Sequence, residues 1–346
     1  MSASAWKVIG ASGFVGSAVL TRLRALNIDA DPIEAPRLLT KQTTARGVIE
    51  EARKLEGIID SLADSFAGAD IVINASGIAA PNLQELPPLM GANALLPAII
   101  AIAAQRTGVR RVIHLSSAAV QGSQKTITDS RQTHPFSAYS FSKATGEEVL
   151  LTIGSYLRDS AAAGKAPGAS SSQVAAYHAV ELCILRATSV QGAGRRTTAA
   201  FAKIASSPLA SVAGKGHHPS PVSSSYALAD FVARLGQFDG QLPEIVVQPW
   251  EETTCESVLI DAGRRRPLHL PKPLCALAIK AGYAISEALN DRFQGTVRRV
   301  EVMWFGQEID DSWARSHRLV PEPRISEVLR NAHRSLGKAS DQKFNL

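Results

Sequence analysis

Short apolar runs alternate with longer segments of helical period through the first half of the chain, as expected where strands and helices stack into a parallel sheet. Residues 7–9 read as a first strand, 15–26 as an amphipathic helix, 70–74 and 109–115 as buried strands, and 183–186 as a further strand. Helical period marks 93–105, despite Pro97, and 139–156, while 47–64 reads as one long helix. After about Gln191 the alternation loses regularity: 214–225 (GKGHHPSPVSSS) has loop composition, 245–247 is an apolar strand, and 274–289 and 325–336 are helical. Residues 159–172 (DSAAAGKAPGASSS) are small and polar with nothing to bury, and read as a mobile surface insertion. The pattern predicts an α/β protein: a Rossmann-like, doubly wound parallel sheet over residues 1–190, then a smaller substrate-binding part over 191–346, some of whose segments return to the first domain.

Composition narrows the classes. The chain has 346 residues, of which 45% are hydrophobic and 20% charged, enough for a large core and a smaller companion. Cys183, Cys255 and Cys275 are odd in number, far apart and without CxxC spacing, so neither a disulfide framework nor a metal site is expected, and a reducing cytoplasm fits. The net charge of +6 comes from scattered basic residues with short clusters such as 264–266 and no interleaved aromatics, which argues against nucleic acid as a partner. Apolar runs fall short of the roughly 18 residues that span a bilayer: 95–104 contains Pro97 and 274–285 contains Lys280. No membrane partner is expected, and a homodimer stays open. Residues 8–20 resemble a signal-peptide core in hydropathy, but their three glycines suit a nucleotide-binding turn better.

That turn is Gly10-Ala11-Ser12-Gly13-Phe14-Val15-Gly16, set between the first strand and the first helix. Glycines permit a tight turn and close backbone approach to a pyrophosphate, and the helix amino end offers free N–H groups to its charge. Glu34, about 20 residues on at the end of the second strand, stands where a carboxylate accepts hydrogen bonds from an adenosine ribose, which favours NAD. Arg37 close by is the alternative reader, pairing with the 2′-phosphate of NADP. Further along, Tyr139 and Lys143 lie four apart and so on one helical face, preceded by the strand-ending Ser116-Ser117. A free phenol, with a pKa of about 10, is too weakly acidic to act as a base at neutral pH, but a fixed lysine cation favours its ionised form. Tyr139 then exchanges a proton with a substrate hydroxyl or carbonyl as hydride passes to or from the cofactor, and Ser117 holds the same oxygen.

In these motifs and their order the chain resembles the extended short-chain dehydrogenase/reductases, also called the NAD-dependent epimerase/dehydratase family. The likeness runs from GASGFVG at Gly10 through VINASG at Val72, the helix with Asn93, VIHLSSAAVQG at Val112, PFSAYSFSKATGE at Pro135 and ILRATSVQGAG at Ile184, and more weakly to the carboxyl end. It implies catalytic roles for Ser117, Tyr139 and Lys143, with Lys143 also bonding the nicotinamide ribose. It implies a pyrophosphate turn of Gly10, Gly13, Phe14, Val15 and Gly16, cofactor contacts at Ala75, Ser76 and Gly77 with Asn93 behind them, and a nicotinamide cover from Ala187 to Val190. Gln121 replaces a tyrosine common at its position, and Ala187 a proline.

Members that dehydrate sugars carry an Asp-Glu pair after the catalytic serine or threonine. Here Ala118-Ala119 follow Ser117, so redox at a secondary alcohol or ketone remains. A 4-epimerase or 4-ketoreductase of a nucleotide-linked sugar, of the kind serving surface polysaccharides, is the first expectation. An alcohol dehydrogenase of steroid-like or flavonoid-like substrates is the second. A non-catalytic NAD(P)-binding regulator is a third, against which the intact Ser117, Tyr139 and Lys143 speak. His217-His218 lack further donors at ligand spacing and read as loop residues, and Trp304 and Trp313 as packing residues.

Overall fold

The computed structural model describes residues 5–79, 83–163, 179–289 and 293–344, with side chains as far as residue 335. In chain order its strands are β1 (Trp6–Ile9), β2 (Ala30–Ile33), β3 (Ile71–Asn74), β4 (Arg111–Ser117), β5 (Thr126–Ile127), β6 (Glu181–Ala187), β7 (Ser189–Gln191), β8 (Ser211–Ala213), β9 (Val222–Ser224), β10 (Ile245–Val247), β11 (Leu268–Leu270) and β12 (Glu308–Ile309). Its helices are α1 (Phe14–Ala25), α2 (Ala45–Ala52), α3 (Glu56–Phe66), α4 (Leu86–Met90), α5 (Leu96–Thr107), α6 (Ala138–Ala162), α7 (Arg196–Ala205), α8 (Ser225–Gln237), α9 (Cys255–Gly263), α10 (Lys272–Ala288), α11 (Gln294–Phe305), α12 (Ser312–Ser316) and α13 (Ile325–Phe344). The chain forms two compact units: residues 1–120, 137–186 and 232–246, and residues 121–136, 187–231 and 247–346.

In the first unit a six-stranded sheet takes the order β10-β6-β4-β3-β1-β2, with β2, β1, β3 and β4 paired in parallel. This is the α/β, Rossmann-like architecture the alternation predicts. Strand β3, inside the sheet, is buried and nearly continuously apolar, as a strand covered on both faces requires: Ile71, Val72 and Ile73 are almost fully enclosed. Arg111, itself buried at the start of β4, donates 2.7 and 2.8 Å hydrogen bonds to the carbonyls of Leu235 and Phe238 and pairs with Glu181.

Residues 86–107 form one continuous helix, interrupted by a π-helical turn at Gly91–Leu95 and ended by Gly108 in the left-handed conformation. By length and composition it could cross a bilayer, yet it is mostly buried and its apolar residues pack into the core of this unit. The helix expected over 47–64 is two, α2 and α3, because Leu55 has a ψ of 49° and leaves the helical path. One apolar phase, Val48, Ala52, Ile59, Leu62 and Phe66, runs through both pieces, so periodicity does not register the break. The insertion expected over 159–172 begins inside α6, and residues 164–178 lie outside the described part of the chain.

The second unit carries short parallel pairs, β7 with β9, β8 with β11 and β5 with β12, around a smaller core that includes Val212, Val258, Leu259, Ile325 and Leu329. The segment 214–225 is not wholly loop, since it contains β9. The buried Glu251 carboxylate organises this region: it accepts from the backbone N–H groups of Ser224, Arg324 and Ile325, placing a negative charge at the amino end of α13.

Candidate active site

The glycine turn leaves β1 and enters α1 as the sequence predicts. Gly10 has φ +78°, and a Cβ there would lie 2.7 Å from the backbone nitrogen of Ser76, so both conformation and space demand glycine. A Cβ on Gly16 would lie 2.1 Å from the Gly10 carbonyl oxygen, which is how closely helix and turn pack. Gly13 differs: it caps α1 with φ −77°, and a Cβ would approach the Gly10 oxygen only to 3.2 Å. Ser12 is exposed, and Phe14 and Val15 are half-buried. The Gly10 N–H reaches the carbonyl of Ile33, which sets the exposed Glu34 beside the turn, with exposed Arg37 three residues on.

The loop after β3 meets the turn from the other side. Ala75 N–H donates to the Ile9 carbonyl at 3.0 Å, Ser76 bonds the Asn74 side chain through both its N–H and its hydroxyl, and Gly77 has φ +138°. The Asn74 amide donates to Nδ1 of the buried His114 at 2.9 Å, which leaves the ring proton on Nε2. Burial, and then the charge of Lys143, hold His114 well below its usual pKa, so it stays neutral. Asn93, fully buried on the π-helical turn, accepts from Ile78 N–H at 3.1 Å and donates to the Ile78 carbonyl and to Ser142 Oγ. It ties the β3 loop to α6. That approach depends on Gly146, where a Cβ would lie 2.0 Å from the Asn93 carbonyl oxygen.

Ser117 closes β4, its Oγ accepting the Ala119 N–H at 3.2 Å. Helix α6 opens with a capping box in which Ser137 and Ser140 satisfy each other's backbone N–H groups, and this fixes its first turn, where half-buried Tyr139 sits. One turn later Lys143 is buried and donates a 2.9 Å bond to the Leu115 carbonyl. Desolvation brings its pKa down to about 8, against the opposing pull of Glu147. A Cβ on Gly77 would lie 3.1 Å from Lys143 Nζ and 2.7 Å from Asn93 Oδ1, so bare backbone faces the ammonium.

Sequence reasoning missed Glu147. One turn beyond Lys143 and 1% exposed, it accepts from Ser116 Oγ at 2.5 Å and from Arg186 at 2.7 Å, and Arg186 is itself fully buried at the end of β6. A glutamate at i+4 from the lysine, inside an apolar helix, was the available signal.

Ala187 and Val190, expected over the nicotinamide, belong to the second unit, as does Gln121. There Thr188 N–H donates to Gln248 Oε1 at 3.0 Å and Thr188 Oγ1 bonds Ser223, which fixes the segment between Ala187 and Val190. Gln121, standing for tyrosine, accepts from Thr128 N–H at 2.7 Å and donates to Thr128 Oγ1, closing its own loop. His218 meets Lys272, Trp304 donates to Ser211 Oγ, and Trp313 stacks on His317, so all three are engaged locally.

The family model described as NAD dependent epimerase/dehydratase family matches residues 6–232. No curated protein matches the chain. Among solved structures, UDP-glucuronic acid 4-epimerase from Bacillus cereus, in complex with UDP-glucuronic acid and NAD, superposes with a TM-score of 0.60 at 16% identity, covering 96% of this chain and 99% of that one. UDP-glucose 4-epimerase of Thermus thermophilus, complexed with NAD, gives 0.55 at 15% identity over 94% and 96%. UDP-N-acetylglucosamine 4-epimerase of Bacillus cereus gives 0.58 at 11% over 95% and 98%. At such identities the likeness carries the fold.

Proposed function

The chain belongs to the NAD dependent epimerase/dehydratase family, and on that premise we propose that it is a 4-epimerase or 4-ketoreductase of a nucleotide-linked sugar, working in the cytoplasm with Tyr139 as general acid and base. The observation that carries the reading is Lys143: a buried ammonium, bonded to the strand that ends in Ser117, one helical turn from Tyr139 and facing bare backbone at Gly77. A binding module has no use for so costly a buried cation.

A dinucleotide fits the residues present. The Gly10–Gly16 turn offers bare backbone and the amino end of α1 to a pyrophosphate, with Ser12, Phe14 and Val15 alongside. Glu34 stands beside the turn for a ribose, and Ala75, Ser76 and Gly77 line the loop opposite, supported by Asn93. Bound NAD supplies the hydride acceptor and donor. Lys143 stabilises the ionised phenol of Tyr139, which takes the proton of a sugar hydroxyl during oxidation and returns it during reduction. Ser117 Oγ donates a hydrogen bond to that oxygen throughout. His114, kept neutral, does not compete for the proton. The nucleotide makes the ligand anionic, in keeping with a basic chain.

The test is to incubate the protein with NAD and a panel of UDP-hexoses and UDP-hexuronic acids and to follow inversion at C4 by NMR. Inversion with no net cofactor reduction identifies an epimerase. Stoichiometric oxidation of NADPH with a 4-keto sugar identifies the reductase. Neither reaction with any member of the panel would count against a nucleotide-sugar substrate.

A further inference from the structure

Helix α10 presents an apolar face to solvent. Its inward face, Cys275, Ile279 and Ser286, is buried, and at Gly282 it approaches Val297 of α11 closely enough that a Cβ would lie 3.2 Å away. The opposite face should therefore be polar. Instead Leu274, Leu277, Ala278, Ala281, Ala284 and Ile285, spaced at three and four residues, are exposed, Leu277 by 65% and Ile285 by 58%. Leu289 and Phe293 continue the apolar character past the helix end, and Leu268 precedes it in β11. A contiguous stripe of this kind on a folded protein marks a contact surface.

Charge indicates what covers it. From Arg264 to Ala288 the chain carries five cations, Arg264, Arg265, Arg266, Lys272 and Lys280, and a single carboxylate, Glu287. The three arginines are exposed, and among the described residues no ion pair holds them. An apolar stripe on the helix that follows an unneutralised arginine run in sequence suits a surface that is apolar within and anionic at its face.

We propose that α10, with the arginine run preceding it, docks this protein on an anionic phospholipid surface. The helix lies in the interface and does not cross it. This revises the expectation of no membrane partner, which rested on the length needed to span a bilayer. It is independent of the reading of the active site, since none of these residues belongs to that site.

The full chain is tested by flotation with vesicles of phosphatidylcholine alone, or of phosphatidylcholine and phosphatidylglycerol in equal parts. The protein should float with the anionic vesicles only, and added salt should release it. Leu274→Asp with Leu277→Asp should reduce the bound fraction at least about tenfold, and Arg265→Glu with Arg266→Glu should reduce it about fivefold or more per charge. Thermal unfolding checks that both variants fold; the arginine variant alone decides if the leucine variant does not. Absence of flotation, or flotation that neither variant weakens, would overturn the proposal. So would a wild-type dimer, indifferent to vesicles, that the leucine variant converts to monomer, for then a second copy covers the stripe.

Discussion

The Lys143 ammonium donates a 2.9 Å hydrogen bond to the backbone carbonyl of Leu115, two residues before Ser117. The bond joins the second turn of α6 to β4, so Ser117 and Tyr139, the proposed proton-transfer residues, ride on two elements tied together. Burial sets its cost, by depressing the lysine pKa from 10.5 to about 8. An unfolded lysine keeps its proton up to about pH 10.5, whereas the folded one releases it at about 8, so between these values the unfolded chain binds more protons and rising pH favours the folded state. The stability of wild type relative to Lys143→Met should therefore increase from pH 8 towards pH 10. Denaturant titrations at several pH values check it; a difference that stays flat or falls would mean that Lys143 is not desolvated.

Glu147 and Arg186 form a buried pair behind that lysine, with Ser116 Oγ as a third member. Glu147→Gln removes the carboxylate that pairs with the buried Arg186 guanidinium, and should lower stability by about 3 to 5 kcal/mol. It also removes the one influence raising the Lys143 pKa, so the alkaline limb of the rate profile should move to lower pH. A profile unchanged in position, whatever the loss in stability, would make the pair purely structural. Adding Arg186→Met to Glu147→Gln should recover part of the stability, because the two costs are not additive.

The glycines of the turn separate into two jobs. Gly16→Val places its Cβ 2.1 Å from the Gly10 oxygen and should prevent folding or reduce it severely. Gly13→Val has an ordinary φ and a less crowded Cβ, so the protein should fold while losing NAD binding by steric exclusion of the pyrophosphate. Calorimetry showing normal NAD affinity in folded Gly13→Val would remove the phosphate from this turn.

What the sequence made legible is what local chemistry dictates. The glycine turn, the Tyr139-Lys143 spacing and the apolar strands each leave a signal within a few residues, and the sheet and both motifs appear at those positions. The network of Glu147, Arg186 and Ser116 did not show, because charged residues read as surface unless the fold buries them together, and Arg186 is 39 residues from Glu147. The break between α2 and α3 was hidden by an apolar phase that continues across it, with neither glycine nor proline at 53–55. In 214–225 three residues pair with β7 at a distance that composition does not record.

In the proposed reading cofactor choice rests on Glu34, which follows Ile33 beside the turn, and on Arg37 three residues further on, both exposed. A carboxylate there accepts bonds from a free ribose 2′-hydroxyl and repels a 2′-phosphate. Wild type should bind NAD(H) more tightly than NADP(H), and Glu34→Ser should narrow the gap chiefly by improving NADP(H). If wild type prefers NADP(H) and Arg37→Ala erases the preference, Arg37 is the ribose reader and the reductase reading overtakes the epimerase.

Tyr139 is the residue proposed to move the proton. Wild type and Tyr139→Phe are compared on whichever UDP-sugar the panel identifies, with turnover and NAD affinity measured on the same preparations. Loss of the hydroxyl should reduce turnover by at least about 100-fold, while NAD affinity stays within about twofold, since the phenyl ring and Lys143 remain. A Tyr139→Phe protein that keeps most of its turnover would contradict the account.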